Sequence, residues 1–319
     1  MLLGASTLVA VGLGLVVIAV VGGRQAPEGP PVPAAAVNDA GAVSPSVEVP
    51  TEPPGATPAP GAAPAPSAPA PQPATAAEVT TRITQLLGQR RGAQVSIAAL
   101  DLTGDRRYRY PSKTAIRTSG VGKLNILETV LLRAQQTKHP LDPADTAAAT
   151  AMIEHDDNNG ADTLWDKYGS AEGFRAANRE LGTKHTSPDI DRYWGLATSD
   201  ADDQLTLLRN LLVDRPLDAA SRSFALDLLG KVEPAQAWGV AAAADPGTKP
   251  LLKTGAINAD NDNGLWTAGS VGIIEVRGHR VLLAVLTQHN ASRQDGIDLV
   301  TRLATTAVAA VTAPTPTAR

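Results

Sequence analysis

KPLLKTGAI (residues 249–257), GLWTAGSVGIIEVRG (264–278) and HRVLLAVLTQ (279–288) are three β-rich runs set apart by turn residues. Together they read as an antiparallel meander of three strands. Working outward, RQDGIDLVTRLATTAVAAV (293–311) closes the chain with a helix. Upstream, GAQVSIAALDL (92–102) alternates as a strand does, TGD (103–105) is a turn, and RRYRYP (106–111) is a second short strand. AEVTTRITQLLGQR (77–90) places Val79, Ile83, Leu86 and Leu87 at helical spacing. Between Gly120 and Thr137 a helix carries Leu124, Leu127, Val130, Leu131 and Ala134 on one stripe. Several more helices follow between Asp142 and Val232. Two strands, an all-helical middle, three strands and a last helix predict an α+β domain. Its antiparallel five-stranded sheet should carry the N- and C-terminal helices on one face and a helical subdomain beyond.

The 319 residues carry a net charge of −4, which speaks against nucleic acid as a partner. There is no cysteine, so a disulfide framework and a thiol nucleophile are both excluded. Aromatics are only 3% of the chain, so the core must rest on Leu, Val, Ile and Ala, with Trp165, Trp194, Trp238 and Trp266 as gap fillers.

Leu2 to Gly23 is free of charged residues over 22 positions, where about 20 suffice to span a bilayer. A transmembrane anchor (residues 1–24) is the expectation, with a cleaved export signal as the alternative. Fifteen of the 25 prolines lie between Pro27 and Pro73, in runs such as APGAAPAPSAPAPQPA (59–74). Residues 25–75 therefore read as an extended, semi-rigid spacer. The folded domain is expected over 76–314, with 315–319 as a tail. Arg24 alone would hold the folded side in the cytoplasm; the argument for an extracytoplasmic domain comes from the motifs.

Three segments carry those motifs. Lys253, Thr254 and Gly255 form a Lys-Thr-Gly on a predicted strand. MIEHDDNNGADTLW (152–165) holds Asp156, Asp157 and Asn158 at a helix end, and TSGVGKLNIL (118–127) holds Lys123 near the start of an apolar helix. This set and the order of elements resemble the class A β-lactamases and penicillin-binding proteins. Those proteins carry Ser-x-x-Lys, Ser-Asp-Asn and Lys-Thr-Gly. QAWGV (236–240) fits β-lactamase-like serine hydrolases of actinobacterial type. The resemblance implies a groove lined by Lys123, Asp157, Asn158, Lys253 and Thr254. It also implies oxyanion donors at the backbone N–H groups of Gly120 and Ala256, and binding of peptidoglycan stem peptides or β-lactams.

The pattern is broken at two of its three motifs. Asp156 stands where a serine hydroxyl would relay a proton, and Gly120 where the nucleophilic serine would stand. Glycine has no oxygen to acylate. Ser119 is one residue away, and a shift of one residue turns a helical side chain by about 100°. The segment TKHTSPDIDRYWGLATSD (183–200) has no glutamate to activate a deacylating water; Asp189 and Asp191 are its nearest substitutes. Three readings stay open: a degenerate hydrolase that binds peptides or a protein partner in the groove, an active hydrolase using Ser119 with Lys123 as base, and a structural head with no ligand. No cofactor is implied. His139, His155, His185, His279 and His289 have no metal-ligand spacing, and residues 260–263 read as a solvated turn rather than a calcium loop.

Overall fold

The computed structural model describes residues 74–90, 92–110, 115–189, 193–258 and 262–312. Helix α1 (Ala76–Gly88) opens the domain, capped by Thr75, whose hydroxyl accepts the Glu78 N–H while the Glu78 carboxylate accepts the Thr75 N–H. Strands β1 (Gln94–Asp101) and β2 (Arg107–Tyr110) follow. After the two-residue β3 (Ile116–Arg117) and a 3-10 turn at Ser119–Val121 come five helices: α2 (Gly122–Thr137), α3 (Pro143–Glu154), α4 (Asn158–Lys167), α5 (Ser170–Leu181) and, after the short β4 (Thr198–Ser199), α6 (Ala201–Asn210). Helix α7 (Ala219–Leu229) leads to β5 (Leu251–Asn258), β6 (Trp266–Val276), β7 (His279–Asn290) and the closing α8 (Arg293–Ala307).

The five long strands form one sheet in the order β2-β1-β7-β6-β5, and every neighbouring pair is antiparallel. The meander expected from residues 249–288 is β5-β6-β7, and β1-β2 joins its far edge. Side-chain alternation divides the core. On one face Ile97, Ala99, Val281, Leu283 and Val285 pack with Val79 and Ile83 of α1 and Leu299, Val300 and Leu303 of α8. On the other, Ala98, Leu100, Leu282, Ala284 and Leu286 meet the helical half built around α2.

Two expectations need correction. Helix α2 is not amphipathic: Gly122 to Leu132 are all buried, polar Lys123, Asn125, Glu128 and Thr129 included. It runs through the middle of the helical half, with neighbours on every side, so no face is left for water. The four tryptophans also divide. Trp165 and Trp194 are buried, whereas Trp238 and Trp266 are only half-buried. The pairing of β3 with β4 had no signal in sequences of two residues each.

Candidate functional site

The site forms where the start of α2, the loop between α3 and α4, and β5 meet. Thr118 fixes the approach: its N–H and its hydroxyl both donate to the Ala197 carbonyl, at 2.7 and 3.1 Å. Ser119 follows with φ +49, donates its hydroxyl to the Thr118 carbonyl at 2.6 Å, and is 1% exposed. Its oxygen is thus committed to the backbone behind it rather than to either lysine.

Gly120 comes next and lies against the edge of β5. A Cβ there would stand 2.9 Å from both Gly255 Cα and the Thr254 carbonyl oxygen, and 3.1 Å from Asp156 Oδ1. A Cβ on Gly255 would in turn strike the backbone of Gly120. The two glycines are what let the turn and the strand approach so closely.

Lys123, 1% exposed, extends from the first turn of α2 into this junction. Its ammonium donates to the Asp156 carbonyl at 2.5 Å, to Asp156 Oδ1 at 2.7 Å and to Asn158 Oδ1 at 2.9 Å. Lys253, fully buried on β5, donates to the same Asp156 Oδ1 at 2.7 Å and to the Thr254 carbonyl at 3.1 Å. One carboxylate oxygen therefore serves two ammonium groups. Burial lowers the pKa of Lys123, with Asp156 opposing the shift. Burial and then the neighbouring Lys123 charge push Lys253 down to about 8, again against the pull of Asp156.

The loop chemistry explains how Asp156 gets there. Helix α3 ends at Glu154, and Asp156 adopts φ +58, a left-handed conformation that Asp tolerates better than most residues. Asp157 then caps α4, accepting the Gly160 N–H at 2.5 Å. Asp157 was expected in the groove, but its carboxylate is taken up by the helix end and forms no ion pair with either lysine. Of the acidic pair, Asp156 is the one that enters the site. Its side chain keeps 24% exposure, which makes it the solvent-facing lid over two buried cations.

Three further residues complete the junction. The Trp194 ring lies under the Lys123 ammonium, 5.2 Å from centroid to nitrogen, and its indole N–H donates to Asp162 Oδ1 at 2.6 Å. Thr254, buried, donates its hydroxyl to the Gln236 carbonyl at 2.9 Å. Gln236 has no role in the sequence reading beyond its place in QAWGV; its position ahead of the Lys-Thr-Gly strand is the signal that could have marked it. Ala256 follows Gly255 on β5 and is half-buried. Asp189 is half-buried, and Asp191 lies outside the described residues.

Elsewhere, Asp262 departs from the expected solvated turn: it pairs with Arg117 and His289, each at 3.2 Å. Residues 260 and 261 lie outside the described residues. His185, Asp200 and Asp203 bring ligand-type atoms within 4.8 Å of one another. Their oxygens are occupied, however: Asp203 accepts the N–H groups of Lys184 and His185 and the Thr186 hydroxyl, and Asp200 caps α6.

The sequence profile of the β-lactamase enzyme family matches residues 146–311, more than half of the chain, and begins downstream of Gly120 and Lys123. No curated protein matches the chain. Solved structures share the fold. The TLA-1 extended-spectrum β-lactamase superposes with a TM-score of 0.64 at 16% identity, covering 75% of this chain and 100% of that one. A class A β-lactamase from Bacteroides cellulosilyticus gives 0.63 at 15%, covering 75% and 99%. PBP-A gives 0.62 at 16%, covering 74% and 96%; a mutant of PBP-A has been solved as an acyl-enzyme complex with penicillin G.

Proposed function

Because the chain belongs to the β-lactamase enzyme family, we propose that it keeps the family scaffold without the covalent chemistry, as a non-hydrolytic domain held outside a membrane. One observation carries this reading. Gly120 presents no nucleophile, and the place where its side chain would be is filled by Gly255, the Thr254 carbonyl and Asp156. Ser119 offers no substitute, since its hydroxyl is turned back to Thr118 and buried. Acyl transfer needs a nucleophile held close to its base in attack geometry, and neither serine nor space is present at Lys123.

The cations left behind still define a chemistry. Lys123 and Lys253 share one carboxylate oxygen, so the junction is a carboxylate site occupied from within. A peptidoglycan-type peptide ending in a free carboxylate would bind by exchanging with Asp156, whose partly exposed side chain has an outward route. The extracytoplasmic location rests on the family resemblance of the folded domain; the apolar segment 2–23 and the proline-rich spacer 25–75 would supply the anchor and the reach. Segment 2–23 lies outside the described residues, and among those described no helix is long and apolar enough to cross a membrane.

The filling of the junction by Asp156 and Trp194 favours a second reading: a structural head with no ligand at this site. The test is in two steps. Incubation with a reactive penicillin, followed by intact mass, should yield no adduct; a stoichiometric adduct on Ser119 would overturn the proposal. Titration with a peptide ending in D-alanine should then separate the two readings. Saturable binding that is lost when the terminal carboxylate is amidated supports the exchange, and its absence supports the structural head.

A further inference from the structure

A second cationic site lies away from the Lys123–Lys253 junction and shares no residue with it. Strand β2 carries Arg107 and Arg109, whose register partners on β1 are Leu100 and Ala98. Leu100 and Ala98 face the helical half, so both arginines lie on the side of α6. Their fates differ. Arg109 pairs with Asp202 in the first turn of α6. Arg107 stands beside the other end of that helix, where the facing residue is Arg209.

Arg107 and Arg209 line one cavity of about 420 Å³. Among the described residues neither guanidinium group has a hydrogen-bond or ion-pair partner, whereas that of Arg109 on the same strand pairs with Asp202. Two guanidinium groups lining one cavity offer an anion a shared seat, and guanidinium forks match carboxylate and phosphate oxygens. The rest of the lining is mixed: Leu100, Leu205 and the exposed Val213 are apolar, and Thr206 and Asn210 are polar. Asn210 is nine-tenths buried. Its amide nitrogen is committed to Glu128 Oε2 at 3.2 Å and the Leu181 carbonyl at 3.1 Å, so only its oxygen is available, as an acceptor.

We infer that the Arg107–Arg209 cavity is a binding site for a small amphiphilic anion: a carboxylate or phosphate head held between the two arginines, on a short hydrocarbon body resting on Leu100, Leu205 and Val213. The volume sets the size. At about 30 Å³ per water it holds roughly 14 waters' worth of material, a molecule of about a dozen heavy atoms. Clefts of this size that combine apolar side chains with a few directed polar groups are typical of ligand sites.

The experiment titrates the full-length protein with butyl phosphate, hexanoate, inorganic phosphate and sodium chloride at matched ionic strength, followed by calorimetry. Butyl phosphate and hexanoate should saturate one site with a dissociation constant on the order of 1 mM or tighter, and inorganic phosphate should bind more weakly for want of the apolar floor. Arg107→Gln and Arg209→Gln should each weaken binding about tenfold, the loss expected for a charge-assisted hydrogen bond. Arg109→Gln should leave it unchanged. All three positions are exposed, and unchanged melting temperatures will show that the variants fold. Four results would each overturn the site: no saturation by the amphiphiles, a response that sodium chloride reproduces, equal affinity for inorganic phosphate, or full binding by the Arg107→Gln/Arg209→Gln double variant.

Discussion

Two polar clusters sit on the same buried helix, barely more than a turn apart, and they solve burial in opposite ways. At the start of α2, Lys123 donates to three acceptors, and Asp156 bridges it to Lys253. Further along, Glu128 is fully buried with one weak partner, the Asn210 amide at 3.2 Å, and its Oε1 has none. Asn125, one turn before it, has no partner for either amide atom. Burial raises the Glu128 pKa well above the ordinary carboxylate value and so favours its neutral form. The difference teaches a rule: a buried charge persists where a counter-charge reaches it, and an unpaired carboxylate neutralises instead.

The comparison breaks most visibly at Asp156. Replacement by alanine leaves two buried ammonium groups with no carboxylate between them, and removing one partner of a buried pair costs about 3–5 kcal/mol. A large fall in the urea midpoint at pH 7 is expected; a fall under about 1 kcal/mol would mean that Asp156 is not their counter-ion. The sign with pH is that of any group whose pKa falls on folding. Burial holds the Lys253 pKa at about 8, below the ordinary lysine value of 10.5. The unfolded chain therefore holds more protons between those values, and this lysine's contribution to stability rises with pH across that window. Losing Asp156 should steepen that rise.

Gly120→Ser is the next largest effect. Its Cβ would stand 2.9 Å from the Gly255 Cα and the Thr254 carbonyl oxygen, where ordinary contact begins at 3.4 Å. These are backbone atoms that cannot turn aside, so a destabilisation of about 1–3 kcal/mol is expected. Thermal denaturation measures it, and intact mass after penicillin should still find no adduct. A stable, acylated Gly120→Ser protein would show that the junction opens freely.

Glu128→Gln sharpens the other half of the comparison. Because the folded pKa of Glu128 is raised, its contribution to stability is full below the ordinary value of 4.5 and is lost as pH climbs toward the folded value. Glutamine has no such proton to lose. The variant should flatten the decline in denaturation midpoint as pH rises above the ordinary carboxylate value of 4.5, and an unaltered slope would assign the decline to other groups. The smallest effect is the control: Lys231→Ala breaks an exposed pair with Asp227 at 2.5 Å and should leave the midpoint unchanged, as exposed pairs contribute little.

How much of this was legible beforehand depended on distance along the chain. The three C-terminal strands were marked by β-rich runs between turn residues. Helix α1 was marked by apolar spacing, and the glycine at the position of the family's serine by Gly120 standing three residues before Lys123. The amphipathic reading of α2 failed because its apolar stripe is real but its polar positions are buried as well, a matter of what surrounds the helix. Asp157 looked equivalent to Asp156 by type. Only the left-handed turn at Asp156 and the capping of α4 by Asp157 separated them.

The sequence by itself determined the α+β order, the Lys-Thr-Gly strand and the absence of an acylable oxygen at position 120, because each is a property of residue type and local periodicity. Tertiary structure alone decided that Asp156 joins Lys123, 33 residues earlier, to Lys253, 97 residues later. It also decided that Gln236 covers Thr254, and that Arg107 and Arg209 share a cavity without partners. Those relations depend on which surfaces the sheet and helices bring together, and the strength of a charge pair depends on the water excluded when they meet.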